Sequence, residues 1–177
     1  MLTGWIACMF GLSLVAHSQA IPTASRWGSS LQIGIGASIV NPDYGEKKDK
    51  GPTIYGTFDF TRHIGIEGDV HLASVIAPAD VGENTYLLGP RYVFHHGRFH
   101  PYAKGLLGLG VINFQPDNRP HTSATYVAYA LGGGLDIKVA RKINVRAIDV
   151  EAQSWPGYNP HGLSPFVMTF GVAYSFR

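Results

Sequence analysis

The chain has 177 residues with 14 Lys and Arg, 12 Asp and Glu, a formal charge of +2, 45% hydrophobic residues and 12% aromatics. That length fits one domain, and so mild a charge excludes an electrostatic nucleic-acid binder. Beyond residue 20 no 18 consecutive residues are apolar, which excludes a helical membrane span but leaves a strand-built one open.

Residues 4–16, "GWIACMFGLSLVA", form an apolar run of 13, too short to cross a bilayer comfortably. Ser18-Gln19-Ala20 follows as a small-x-small cleavage pattern, so residues 1–20 are expected to be a secretory signal peptide and 21–177 the exported domain. No Lys or Arg precedes the apolar run, and the N-terminal amine alone supplies positive charge there. Cleavage after Ala20 would remove Cys8, the only cysteine, and leave an exported chain that no disulfide can hold together.

Eight alternating segments then succeed one another. "LQIGIGASI" sets Leu31, Ile33, Ile35 and Ile39 against Gln32, Gly34, Gly36 and Ser38. "TIYGTFDFT" separates Ile54, Phe58 and Phe60 from Tyr55, Thr57 and Asp59. In "IGIEGDVHL", residues 64–72, Ile64, Ile66, Val70 and Leu72 oppose Gly65, Glu67, Asp69 and His71. "YLLGPRYVF" sends Tyr86, Leu88, Tyr92 and Phe94 one way and Leu87, Gly89 and Arg91 the other. "PYAKGLLGLGV" opposes Leu107, Leu109 and Val111 to Tyr102, Lys104, Gly108 and Gly110. "YVAYALGGGLDIKV" opposes Val127, Tyr129, Leu131 and Leu135 to Ala128, Gly132, Gly134 and Asp136. "INVRAIDVEAQ" begins with Arg146 opposite Ile143 and Val145, but Asp149, Glu151 and Gln153 then share the parity of Ile143. That slip predicts a β-bulge near Ala147–Ile148, which re-aims a strand by one residue. "FVMTFGVAYSF" closes the series, with Phe166, Met168, Phe170, Val172, Tyr174 and Phe176 on one face.

Between these segments, Thr61–His63, His95–His100 and Ala140–Lys142 are short connections. Asn41–Gly51, Ala73–Glu83, Asn113–Ala124 and Ser154–Leu163 are long and rich in Pro, Gly, Asn and charge. Short and long alternate strictly, which is the pattern of an eight-stranded antiparallel up-and-down barrel with one turn end and one loop end. A soluble secreted barrel of the lipocalin kind, binding a hydrophobic ligand, would place the bulky face inside. Here the opposite face is mostly Gly, Ala, Ser and Thr with a few charges that can pair, which suits the crowded interior of eight strands. Phe60, Tyr92, Phe94, Tyr174 and Phe176 cluster toward the short turns and Tyr86 and Phe166 toward the loops. Two aromatic girdles around an aliphatic band read as a transmembrane β-barrel, and hydrocarbon forbids an open sheet edge.

With these features the chain resembles the OmpA/OmpX-like small outer-membrane barrel superfamily over about residues 29–177, through "GPRYVF" at 89–94, "RFHPYAKGLLGLG" at 98–110 and the final strand. The resemblance implies residence in the outer membrane of a Gram-negative envelope, among its lipid and lipopolysaccharide. It also implies an assembly signal for the outer-membrane insertion machinery in the last strand, carried by Thr169, Gly171, Tyr174 and Phe176; Arg177 adds one residue beyond the terminal aromatic common in the family. Some relatives conduct through rearranging ion pairs and some modify lipid A, so a gated channel and a lipid A-modifying enzyme stand as alternatives to a structural or surface-contact role.

Hairpin arithmetic sets Asp136 opposite Arg146 and Arg91 opposite Lys104, with Glu67 near Arg91. Asp59, Glu67, Arg91, Lys104, Asp136 and Arg146 are therefore expected to form a charge belt inside the turn-end half, paired because an unpaired buried charge costs too much. "HTS", His121 to Ser123, has the spacing of a deacylase motif, but it falls in an expected loop, far from an orienting acid such as Asp136. His95, His96 and His100 crowd one turn; without a carboxylate or thiol to complete a ligand set they read as solvated turn residues. "GIGAS", "GLLGLG" and "LGGGL" open no helix and fail the context test of a phosphate loop. No catalytic, cofactor or metal residue is assigned. Trp155 and Tyr158, on the Pro/Gly frame "SWPGYNPHGL", are expected on a loop, either as contacts for a surface partner that the sequence does not name or equally as solvated caps against lipopolysaccharide sugars.

Overall fold

Alternation of bulky apolar residues with small or polar ones dictates one continuous ladder. A computed structural model describes residues 29–43, 48–75, 81–114, 122–158 and 161–176. The signal-peptide reading, His121 and Arg177 lie outside the described residues. Eight strands run in chain order: β1 (Ser30–Asn41), β2 (Asp49–Asp59), β3 (Ile64–Leu72), β4 (Val81–Val93), β5 (Phe99–Phe114), β6 (Thr122–Lys138), β7 (Ile143–Ser154) and β8 (Phe166–Phe176). Each pairs antiparallel with its neighbours, and β1 pairs back to β8 from Leu31↔Phe176 to Asn41↔Phe166. The sheet is closed, so no backbone edge faces lipid. The sequence expectation of an eight-stranded antiparallel up-and-down barrel is what the chain adopts.

The orientation is decided by exposure. Ile35, Leu107 and Leu131 are 68%, 61% and 71% exposed, whereas Glu67 and Lys104 are 0% and 5% exposed. Hydrocarbon is the solvent for the first set, and the bore encloses the second. Edge-on aromatic pairs mark the turn end: Phe58–Phe60, Tyr92–Phe94 and Tyr174–Phe176, with ring centroids 5.1, 4.8 and 4.9 Å apart. Tyr86 and Phe166 stand outward toward the loops.

The turns are chemically specified. Thr61 Oγ1 accepts from the backbone N–H of His63 and Ile64 at 3.3 and 3.0 Å, an ST-turn that tightens the β2–β3 hairpin. Gly97 sits at φ +64° between His96 and Phe99, a conformation that costs glycine nothing. In β7 the register against β6 passes from Leu135↔Ile148 to Asp136↔Arg146, and against β8 from Asp149↔Thr169 to Arg146↔Gly171. One residue is therefore inserted at Ala147–Ile148, where the phase slip placed it. The strands run further than the alternation alone indicates: Asp49–Gly51, Val81–Glu83 and Thr122–Ala124 belong to β2, β4 and β6. β5 and β6, at 16 and 17 residues, exceed the 9–11 that a bilayer needs, so their loop ends continue the ladder beyond the lipid.

Candidate functional site

The bore is filled in layers from the turn end upward. Near the turns lies a cavity of about 30 Å³ bordered by Ser30, Gln32, Asp59, Arg91 and Asp136, room for one or two waters at about 15 Å³ each. Its floor is ionic. Arg91 Nη2 donates to Asp136 Oδ2 at 2.5 Å, and Arg146 Nε donates to Asp136 Oδ1 at 3.2 Å. Arg146 reaches Glu67 through Nη1 and Nη2 at 2.9 and 3.0 Å, a bidentate fork. Arg91 Nη1 lies 3.0 Å from Glu67 Oε2. Glu67 thus touches all three basic groups of the network.

Lys104 sits at the centre. Its Nζ lies 2.9 Å from Glu67, 2.7 Å from Asp69, 2.6 Å from Asp149 and 2.8 Å from Glu151. The guanidinium groups are also pressed against tyrosine faces. Arg146 Cζ stands 3.8 Å from the Tyr55 ring centroid, and Arg91 Cζ stands 3.9 Å from that of Tyr102. Such contacts hold a planar cation in a buried site.

Above the ions, His71 Nε2 meets Glu151 Oε1 at 3.3 Å, while its Nδ1 is hydrogen-bonded with Ser38 and Thr53 at 3.0 and 3.1 Å. Ser38 is in turn bonded with Thr53 and with Thr169, the latter at 2.6 Å. Higher still, Trp155 packs with Leu87, Leu106, Ile112, Ala128, Ala130 and Leu163 as an apolar cap, and its Nε1 donates to Gln153 Oε1 at 3.2 Å.

The structure brings Glu67, Arg91, Lys104, Asp136 and Arg146 into one connected network of ion pairs. Asp59 differs from the expectation: it accepts from Ser30 Oγ at 3.0 Å beside the turn-end cavity and forms no ion pair among the described residues, because it lies one inward step nearer the mouth than the level of Glu67. The network also climbs beyond the turn-end half, because Asp69, His71, Asp149 and Glu151 extend it to Ser38, the ninth residue of the 12 in β1. The signal for the missed four was parity. Asp69 and His71 share the face of Glu67, and the bulge turns Asp149 and Glu151 inward.

Trp155 also departs from its expected role. It is fully buried rather than presented to a partner, because Asp149, Glu151, Gln153 and Trp155 continue the inward parity set by the bulge. Tyr158 is half-buried and meets Tyr126 edge-on at 5.5 Å. Thr122 and Ser123 lie in β6 instead of a loop; Ser123 is exposed opposite Asn113, on the parity of outward Val127 and Tyr129, and points away from the acids of the bore. His95 meets His63 and His100 with centroids 5.6 and 4.7 Å apart. Of the last-strand set, Thr169 is inward, and Tyr174 and Phe176 belong to the turn-end girdle.

No curated protein matches the chain. Solved structures show the same fold. Neisserial surface protein A aligns with TM-score 0.64 at 14% identity, covering 84% of this chain and 97% of its own. Ail of Yersinia pestis, solved with the heparin analogue sucrose octasulfate, aligns with TM-score 0.55 at 16% identity over 84% and 99%. OprG of Pseudomonas aeruginosa gives 0.54 at 15% over 85% and 97%. The family model for the outer membrane protein beta-barrel domain matches residues 6–176. A closed barrel with a lipid-facing apolar wall and an ionic bore, matched over nearly its whole length, belongs to that family of outer-membrane β-barrels and resides in the outer membrane.

Proposed function

We propose that the chain is a non-enzymatic integral outer-membrane barrel with a structural or surface-contact role, its lumen plugged by the salt-bridge network. The filled bore carries this reading. Eight strands leave space for side chains and little else, and here that space holds ion pairs, tyrosine rings and the Trp155 cap. A conducting path would need several of these pairs to separate together in a dry interior, where each unpaired charge is expensive. A lipocalin-like pocket is disfavoured by the polar lining. A hydrolase is disfavoured by the place of Ser123, exposed opposite Asn113 on the outward face and away from the carboxylates of the bore. The role of Thr169, Gly171, Tyr174 and Phe176 as an assembly signal rests on the family resemblance of β8, which must pair with β1 to close the barrel. Members of this family lie in outer-membrane lipid and contact lipopolysaccharide.

The test is conductance of the purified barrel in planar bilayers. The expected trace is the protein-free baseline. Stepwise openings would overturn the plug, and release of fatty acid from lipid A that disappears in Ser123→Ala would overturn the non-enzymatic reading.

A further inference from the structure

The buried network does not balance. Glu67, Asp69, Asp136, Asp149 and Glu151 supply five carboxylates, against three permanent cations in Arg91, Lys104 and Arg146, and all eight are nearly inaccessible. Lys104 has three N–H donors but faces four carboxylates within 2.9 Å, so at least one of those oxygens receives no proton from it. Consistent with that surplus, Asp69 Oδ1 and Asp149 Oδ1 are buried without a hydrogen-bond partner. An excess of negative charge in a buried bore calls for a further positive charge.

One part of the network has the donor set to hold that charge as a metal ion. Asp69, His71 and Glu151 each offer a ligand atom, and these atoms lie within 4.8 Å of one another. They come from β3 and β7, on opposite walls of the bore, so an ion bound here would also tie the two walls together. His71 is already oriented for the task. Its Nδ1 rests against the Ser38 and Thr53 hydroxyls, which leaves Nε2 facing Glu151. A metal-ligating imidazole is held in this way by a hydrogen bond at its other nitrogen. If Asp69 and Glu151 turn to an ion, Lys104 retains Glu67 and Asp149, and its three donors are no longer over-subscribed.

We propose that Asp69, His71 and Glu151 form a lumenal binding site for one divalent transition-metal ion of the zinc class. One imidazole nitrogen and two carboxylate oxygens suit Zn²⁺, with a fourth position left for water. With His71 neutral, as a metal ligand is, the two positive charges offset the two surplus carboxylates. The neighbouring acid set, Glu67, Asp69 and Asp149, lacks an imidazole and is shared with both Lys104 and Arg146, so it is the poorer seat.

The experiment refolds the chain into detergent with equimolar ZnCl₂, strips loose metal by gel filtration over a weak chelator, and measures zinc by elemental analysis. Folding of every sample is checked by the mobility difference between unheated and boiled protein. About one zinc per folded chain is expected, falling to background in His71→Gln and in Asp69→Asn. A His95→Gln/His100→Gln double variant should retain the metal, which separates the lumen from the histidines of the turn. Absence of retained zinc in the unmodified chain overturns the site. So does zinc that survives in His71→Gln, or that is lost only with the turn histidines. If His71→Gln does not fold, the isosteric Asp69→Asn decides, and retention there overturns the proposal.

Discussion

Lys104 is the residue on which the interior turns, because its ammonium is the one positive charge shared by Glu67, Asp69, Asp149 and Glu151. Lys104→Met keeps most of the side-chain volume and leaves those four carboxylates crowded around a methyl group. Removing one partner of a buried ionic set costs about 3–5 kcal/mol, and urea unfolding of the detergent-folded barrel should show a loss of that order. An unchanged midpoint would mean that the acids share protons among themselves and do not need the lysine. The same physics limits what the network contributes overall. A well-packed apolar interior of equal volume can be as stable.

His95 sits outside the spanning strands, in the β4–β5 turn, and its imidazole is pushed below the usual histidine range by partial burial and then by neighbouring His100, His63 and Arg62. The unfolded chain therefore binds this proton more readily than the folded turn. The turn is fully favoured above the unfolded value near 6.5. As pH falls from there toward the depressed folded value, that contribution is lost. An NMR titration of His95 should give a midpoint below 6.5, with faster amide exchange in the turn on the acid side; a midpoint above it would contradict the packing described.

At this scale much was legible and some was not. Parity and hairpin arithmetic are enough to place Glu67, Arg91, Lys104, Asp136 and Arg146 together, since both depend only on backbone repeat and turn length. The reach of a lysine across the bore to β3 and β7 at once depends on barrel closure, which pairwise hairpins do not contain. Hence parity turns Asp69, His71, Asp149 and Glu151 inward without joining them to Lys104, and Asp59 lies one inward step nearer the mouth than Glu67.

Among the strands, glycine and one bulge do most of the shaping. A Cβ on Gly34 would lie 2.2 Å from Tyr55 Cζ, whereas one on Gly56 would meet only Gln32 O at 3.8 Å. Tyr55 cannot easily yield, because Arg146 lies flat against it. Gly34→Ala should therefore cost about 1–3 kcal/mol through overpacking, while Gly56→Ala on the lipid side should stay within about 0.5 kcal/mol; equal effects by urea unfolding would contradict the crowded bore. The bulge at Ala147–Ile148 decides the fate of every later residue in β7. It was readable as a phase slip, and carrying the new parity two residues past Gln153 would have placed Trp155 inside. The Pro/Gly setting of Trp155 pointed instead to an exposed loop, and burial of its indole against Ile112 and Leu163 outweighed that local signal.

For the whole molecule, closure and orientation are one requirement. Lipid tolerates neither an open edge nor a stripe of ions, so the strand set must close with the ionic face inward. The fold class followed directly from this, because alternating faces and alternating turn lengths are properties of the chain itself. The heights of the strands did not, since the loop ends of β5 and β6 pair beyond the bilayer, where alternation no longer distinguishes strand from loop.

The inside–outside assignment is tested most directly by single-cysteine spin labels in bilayers. Labels would be placed at Ile35, Leu107 and Leu131 on one face and at Thr57, Thr85 and Thr169 on the other, with collision rates measured against lipid-dissolved oxygen. The account predicts frequent collisions at the first three positions and rare ones at the second. Rare collisions at Leu107 and Leu131 with frequent ones at Thr57 and Thr85 would contradict it.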